Sequence, residues 1–292
     1  MTLPLIDPGP SSKPWELRLG DCIQGMAALA DKSVDHTIAD PPFEEEAHTK
    51  GRRICTGSFL ERRSGSDTTM VKPISYPPIT EAERAAAAAQ IARVTRRWIV
   101  LFCQVEAAML WRRALEAGGA EYVRCGSWHK TDAQPQLTGD RPGQGWEAVV
   151  ICHGARAAGG AASELPLLQG TNQPHAGRMR WNGGGHCAKW SGSSRNTGGD
   201  LSRKKLIDGQ KPDWLMERLV SDFSDPGELV FDPYAGSGST GAACIKLGRR
   251  FLGFERTPHT HALAVARLAA LSMPSAVGSA VVRSQFPLGV RP

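Results

Sequence analysis

The sequence has no stretch that approaches the roughly 20 consecutive apolar residues of a membrane-spanning helix. Its N-terminus, MTLPLIDPGPSSKPWE, also lacks the charged start and apolar run of an export signal, so a soluble, cytoplasmic protein is expected. No two cysteines stand in the C-x-x-C spacing of a zinc or redox site. The seven present, at 22, 55, 103, 125, 152, 187 and 244, form an odd and scattered set that suits small buried residues in a reducing compartment. His153, His175, His186 and Cys187 lie at irregular spacing in Gly-rich surroundings, so no metal site is expected.

The chain of 292 residues is 41% hydrophobic, enough to bury a sizeable core, which argues against disorder or a fibrous repeat. Lys and Arg number 35 against 29 Asp and Glu, and the surplus of +6 suits an anionic partner. Apolar periodicity alternates between strand-like and helix-like runs, the pattern of an α/β fold. Strands are expected at 16–20, 34–40, 97–103, 121–130, 146–153, 228–232 and 249–255. Helices are expected at 22–30, 79–96, 105–119, 211–223, 239–248 and 258–271. Two polar segments without sustained period, 44–78 and 154–210, interrupt this order and are the places to look for substrate contacts.

Two motifs carry chemistry. FDPYAGSGSTG (231–241) lies between a strand and a helix and spaces Gly236, Gly238 and Gly241 as G-x-G-x-x-G, which lets backbone and helix N–H groups approach a ligand. No Lys precedes its Ser or Thr, so it is not a Walker phosphate loop. The next strand ends in Glu255, where a carboxylate can hold the hydroxyls of a ribose. Only 37 residues follow Glu255, too few for the βα units that trail a dehydrogenase fingerprint. Asp232 before the turn would repel a pyrophosphate and attract a cation, which favours S-adenosylmethionine over NAD. The second motif, Asp40-Pro41-Pro42-Phe43, ends an apolar strand. Its prolines withhold N–H groups, Asp40 can accept from an amine, and Phe43 offers a face for a planar base, although a rigid turn with a buried Phe would look the same.

Together these residues resemble the amino-type DNA methyltransferases, which act on adenine N6 or cytosine N4. The resemblance runs through LRLGDCIQGMAALADKSVDHTIADPPF, the middle strands to WEAVVICH, and Lys211 to about Leu271. With DPPF early and FDPYAGSGSTGAA late, the order looks like the permuted β-type arrangement. The resemblance implies a circularly permuted, Rossmann-like S-adenosylmethionine-dependent fold. A catalytic half would span 1–153, an inserted target-recognition segment 154–210, a cofactor half 211–272 and a loose tail 273–292. It implies that Asp40, Pro41, Pro42 and Phe43 bind and orient the base. Asp232, Pro233, Gly236, Ser237, Gly238 and Thr240 would line the cofactor pocket, with Glu255 on the ribose and Asp21 on the adenine. Lys211 would begin the helix over the methionine part.

Double-stranded DNA is the implied partner, and a homodimer is implied by the resemblance alone. Arg178, Arg180, Lys189, Arg195, Arg203, Lys204 and Lys205 in the recognition segment would face DNA, as bases or phosphates require. The basic cluster Lys50, Arg52, Arg53, Arg62 and Arg63 would bear on the backbone or stand solvated. Cytosine C5 chemistry in similar enzymes needs a Cys after Pro, and none of the seven follows a proline. Cytosine members more often carry Ser where Asp40 stands, so adenine N6 is favoured, with cytosine N4 the alternative. RNA or protein-amide methylation and a non-catalytic DNA-binding subunit are the remaining readings.

Overall fold

The computed structural model describes residues 13–45, 76–133, 142–155, 181–195 and 206–273, without 185 and 208, together with the backbone of 53–55 and 69–71. The first strand β1 (Trp15–Leu19) leads to α1 (Cys22–Ala27), whose N-cap Asp21 accepts from Gln24 N at 3.0 Å. β2 (His36–Ala39) is followed by two short strands, β3 (Arg53–Cys55) and β4 (Thr69–Val71), paired antiparallel. The expected irregular stretch 44–78 thus contains a small hairpin. The Ala-rich helix α2 (Glu81–Val94) starts at a capping box in which Thr80 and Glu83 satisfy each other's backbone N–H groups.

Next come β5 (Trp98–Cys103), α3 (Ala108–Ala117), β6 (Glu121–Lys130) and β7 (Trp146–His153). A short strand β8 (Lys189–Gly192) then appears inside the segment 154–210, where no period announces one. The chain closes with α4 (Asp213–Phe223), β9 (Leu229–Asp232), α5 (Ser239–Lys246), β10 (Arg250–Glu255) and α6 (Pro258–Ser272). The expected tail begins at Met273, and its remainder lies outside the described residues.

Eight strands form one sheet in the order β1-β10-β9-β2-β5-β7-β6-β8. β7 pairs antiparallel with both β5 and β6, and the remaining pairs are parallel. The ends of β2, β5, β6, β9 and β10 therefore share one edge of the sheet with the start of β7. In β5, Trp98, Val100 and Phe102 belong to one apolar cluster and Ile99, Leu101 and Cys103 to the other, so this strand is buried on both faces, as its continuous apolar run dictates. Residues of α4, α5 and α6 pack in the first cluster, and residues of α1, α2 and α3 in the second.

The late β9-α5-β10 unit is inserted between β1 and β2. His36 pairs with Val230 and Thr37 with Phe231, which places a motif near residue 40 beside one near 232. From this junction the chain proceeds outward on both sides, to β10 and to β5, so a crevice opens there at the strand ends. Among the described residues no helix is long and apolar enough to cross a membrane.

Candidate active site

A cleft of about 490 Å³ occupies that crevice, lined on both sides by residues that the two motifs contribute. Asp21, Asp40, Pro42, Lys211, Asp232, Pro233, Gly236, Ser237, Thr240 and Glu255 all border it, although 234 positions separate Asp21 from Glu255. The glycine loop is built as its sequence requires: Gly236 and Gly238 adopt left-handed φ values of 52° and 74°, and Gly238 caps α5. Gly238 itself does not line the cleft. A Cβ at that position would meet Ala264 and Leu268 on α6, and the part of Gly238 is the turn.

Asp232 is 3% exposed and its oxygens are held by the loop it begins, Oδ1 by Tyr234 N at 2.9 Å and Oδ2 by the Thr240 hydroxyl at 2.6 Å. Burial pushes its carboxyl up to about 7, against the pull of these hydrogen bonds, and the charges of Asp40 and Glu255 add to the rise. Glu255 accepts from Gly236 N at 3.1 Å and from Thr257 N at 2.7 Å, which joins the loop to the end of β10. This end of the cleft collects carboxylates, so a ligand carrying positive charge fits it.

The Asp-Pro-Pro-Phe corner is tied to α2 and β5. The Phe43 carbonyl accepts from Ile79 N at 3.1 Å, Glu44 N donates to Gln104 Oε1 at 2.8 Å, and the Glu44 carboxylate accepts from the buried Arg84 at 2.7 Å. Asp40 meets Lys211, whose Nζ lies 2.5 Å from Oδ2 and 3.2 Å from Glu147 Oε2. Lys130 Nζ stands 2.6 Å from the other oxygen of Glu147. Burial raises the Asp40 carboxyl, opposed by Lys211. At Glu147 burial is outweighed by Lys211 and Lys130, which hold the carboxyl below its ordinary value, and the two carboxylates hold the Lys211 ammonium well above its own. The expected place of Lys211 at the head of α4 is kept, while its charge points to Asp40.

Glu147 and Lys130 were not foreseen. A carboxylate in second place of the otherwise apolar run WEAVVICH is the signal that could have singled out Glu147. The cleft wall formed by Tyr76, Pro78 and Ile79, at the exit from 44–78, was equally hidden in an irregular stretch.

Of the residues expected to face DNA, Lys189 and Arg195 are exposed at the two ends of the β8 region. Arg178, Arg180, Arg203, Lys204 and Lys205 lie outside the described residues, as do Lys50, Arg52, Arg62 and Arg63. β8 is anchored by Trp190, buried with its Nε1 donating to Asp222 at 3.1 Å, and by Trp214 Nε1 donating to the Ser193 carbonyl at 2.8 Å. Asp132 receives Ser194 N at 2.6 Å and the Ser193 hydroxyl at 2.8 Å. These bonds outweigh burial and hold its carboxyl down at about 2.

The Asp-Pro-Pro-Phe corner and the glycine loop thus border one crevice between neighbouring strands. The model of the DNA methylase family of the N6 and N4 type matches residues 34–266. The chain belongs to that family. A similar protein is the type II methyltransferase M.HinfI of Haemophilus influenzae, 24% identical over 242 residues, an alignment covering 81% of this chain and 63% of that protein. Among solved structures, this DNA methylase is similar to the M1.HpyAVI complex with S-adenosylmethionine (TM-score 0.56, 21% identity, 87% of this chain and 100% of that one). It is also similar to the cytosine-N4-specific PvuII DNA methyltransferase (TM-score 0.61, 13% identity, 91% and 89%). These likenesses agree with the expected α/β methyltransferase architecture.

Proposed function

We propose that the protein transfers a methyl group from S-adenosylmethionine to the exocyclic amine of a base flipped out of double-stranded DNA, with adenine N6 as the target. The observation that carries this reading is the single cleft in which Asp40, at the end of β2, and Asp232, at the end of the neighbouring β9, face one space. The cofactor would supply an electrophilic sulfonium methyl. The residues present fit it: the buried acid Asp232 and the carboxylates around it suit a cation, and Glu255 and Asp21 offer acceptors for a nucleoside.

An amine conjugated to a base ring is a poor nucleophile because its lone pair is delocalised. Hydrogen bonds from the amine to Asp40 and to the Pro41 carbonyl would hold the nitrogen toward tetrahedral geometry and aim its lone pair into the cleft. Phe43 would stack on the ring and offset part of the few kcal/mol that flipping costs. Aspartate at position 40 favours adenine over cytosine. The segment 154–210 would read the site, and the enzyme would act in the cytoplasm as the modification half of a restriction–modification pair.

The test is direct: plasmid DNA from cells expressing the protein is sequenced by a modification-sensitive method and its nucleosides are weighed by mass spectrometry. N6-methyladenine at one short sequence is the expected result. N4-methylcytosine would overturn the choice of base, and unmodified DNA from cells with intact protein would overturn the reading.

A further inference from the structure

Methyl transfer as described uses Asp40 and leaves the charge beside it without a task. Lys211 Nζ lies 2.5 Å from Asp40 Oδ2 and 3.2 Å from Glu147 Oε2, and Lys130 neutralises the far oxygen of Glu147 at 2.6 Å. Two carboxylates and two ammoniums balance, so this buried network needs no outside ion. The ring of Phe102 stands 4.8 Å from Nζ, that of Phe43 5.5 Å and that of Trp128 5.9 Å. None of these faces can accept a directed hydrogen bond of full strength.

Two atoms are left with capacity to spare. Among the described residues, Asp40 Oδ1 is buried with no hydrogen-bond partner, whereas Glu147 Oε2 is held by the Lys211 ammonium. An ammonium has three N–H groups, and the directed bond made here by Lys211 goes to Asp40 Oδ2. Buried polar atoms in native structures are ordinarily satisfied, so an unspent acceptor on Asp40 next to an unspent donor on Lys211 marks a place where a ligand completes the set.

The pattern of that ligand follows: a donor beside an acceptor on one planar edge. Adenine offers it as N6 and N1, cytosine as N4 and N3, each an amine next to an unprotonated ring nitrogen. We propose that Lys211 is a base-reading residue, donating to the ring nitrogen beside the amine while Asp40 accepts from the amine itself. The assignment rests on the amino-methylation reading above. Two bonds to one edge fix the base against rotation in its own plane, which one bond from Asp40 would leave free. Lys211 stays protonated throughout, held between two carboxylates, so it acts as a donor and takes no proton from the amine. Glu147 and Lys130 are positioning residues that aim it.

The test uses a duplex bearing the site found by sequencing and the same duplex with the target base replaced by its deaza analogue, 1-deazaadenine or 3-deazacytosine. The analogue keeps the amine and exchanges the ring nitrogen for C–H. Single-turnover methyl transfer is measured on both for the wild-type protein and for K211M, with S-adenosylmethionine affinity as the second readout. The wild type is expected to lose about tenfold or more on the deaza duplex, as for a lost hydrogen bond to a charged donor. K211M should treat the two duplexes alike. K211M/E147Q, which removes the opposing charge together with the lysine, serves if K211M alone does not fold. An equal deaza penalty in variant and wild type overturns the assignment, as does a variant that binds S-adenosylmethionine at least tenfold more weakly and keeps the penalty. If the wild type methylates neither duplex, the failure lies with the amino-methylation reading.

Discussion

Asp232 is the residue whose ionisation answers to what enters the cleft. Its carboxyl sits at about 7 in the folded protein against an ordinary 3.8, because it is buried among other carboxylates. A raised carboxyl binds more protons folded than unfolded, so its contribution to stability is fullest below about pH 4 and is lost as pH rises through 7. The loss amounts to at most about 4 kcal/mol. Urea unfolding between pH 5 and 8 should show the wild type weakening toward pH 8 and D232N following a flatter line. Binding a sulfonium cation favours the ionised form, so calorimetry at pH 6 in buffers of different ionisation enthalpy should register proton release on S-adenosylmethionine binding. D232N should release fewer protons.

Asp40 stands in the same cleft with a different role. On the proposed mechanism D40A removes the acceptor from the amine and should lower single-turnover transfer by about 10²–10³-fold, the range found when one directed transition-state hydrogen bond is lost. S-adenosylmethionine affinity should stay close to that of the wild type. Full activity in D40A would disprove the assigned mechanism.

Among the elements, β8 shows where reading the sequence stops. Long apolar runs such as WIVLFC and Gly-closed helical patterns announce themselves, because burial on both faces or one face of a long element imprints a period. KWSG is four residues long, set among Gly and Ser, and its strand conformation is dictated by partners elsewhere: β6 at its side and Trp214 and Asp222 of α4 beneath. The same holds for the charge network of the active site. Asp40 and Gly236 were legible because each sits in a compact motif, whereas Glu147 acquires meaning only when β7, running against its neighbours, delivers its first turn to the edge where the other strands end.

Gly192 tests this coupling between β8 and α4. A Cβ at that position would lie 2.5 Å from the ring of Trp214, which leaves no room without a shift of helix or strand. G192A should cost about 1–3 kcal/mol in urea unfolding, as overpacked sites do. Because β8 is fastened next to the start of α4, DNA affinity should fall while S-adenosylmethionine affinity, which the proposed function places at β9 and β10, holds. A variant with wild-type DNA binding would uncouple β8 from recognition.

Over the whole molecule the charge is unevenly placed. Residues 154–211 hold nine Lys and Arg against three Asp and Glu, a surplus of six that equals the net charge of the entire chain, so the remainder is balanced. Within this segment β8 ends on the same edge of the sheet as Asp40 and Asp232 and is followed there by the 71% exposed Arg195, while Lys189 is exposed at the strand's other end. DNA arriving at that edge would meet the positive segment first and the amine-accepting corner behind it. Affinity for duplex DNA should then fall linearly with salt on logarithmic axes, and R195A should reduce the steepness by about 0.9 if Arg195 neutralises one phosphate. K246A is the control: Lys246 ends α5 and its charge is paired with Glu217 at 2.6 Å and Asp213 at 3.8 Å, so its loss should leave the salt slope unchanged. Fluorescence anisotropy across 50–300 mM salt would separate the two variants, and equal slopes would mean that DNA does not approach along the β8 edge.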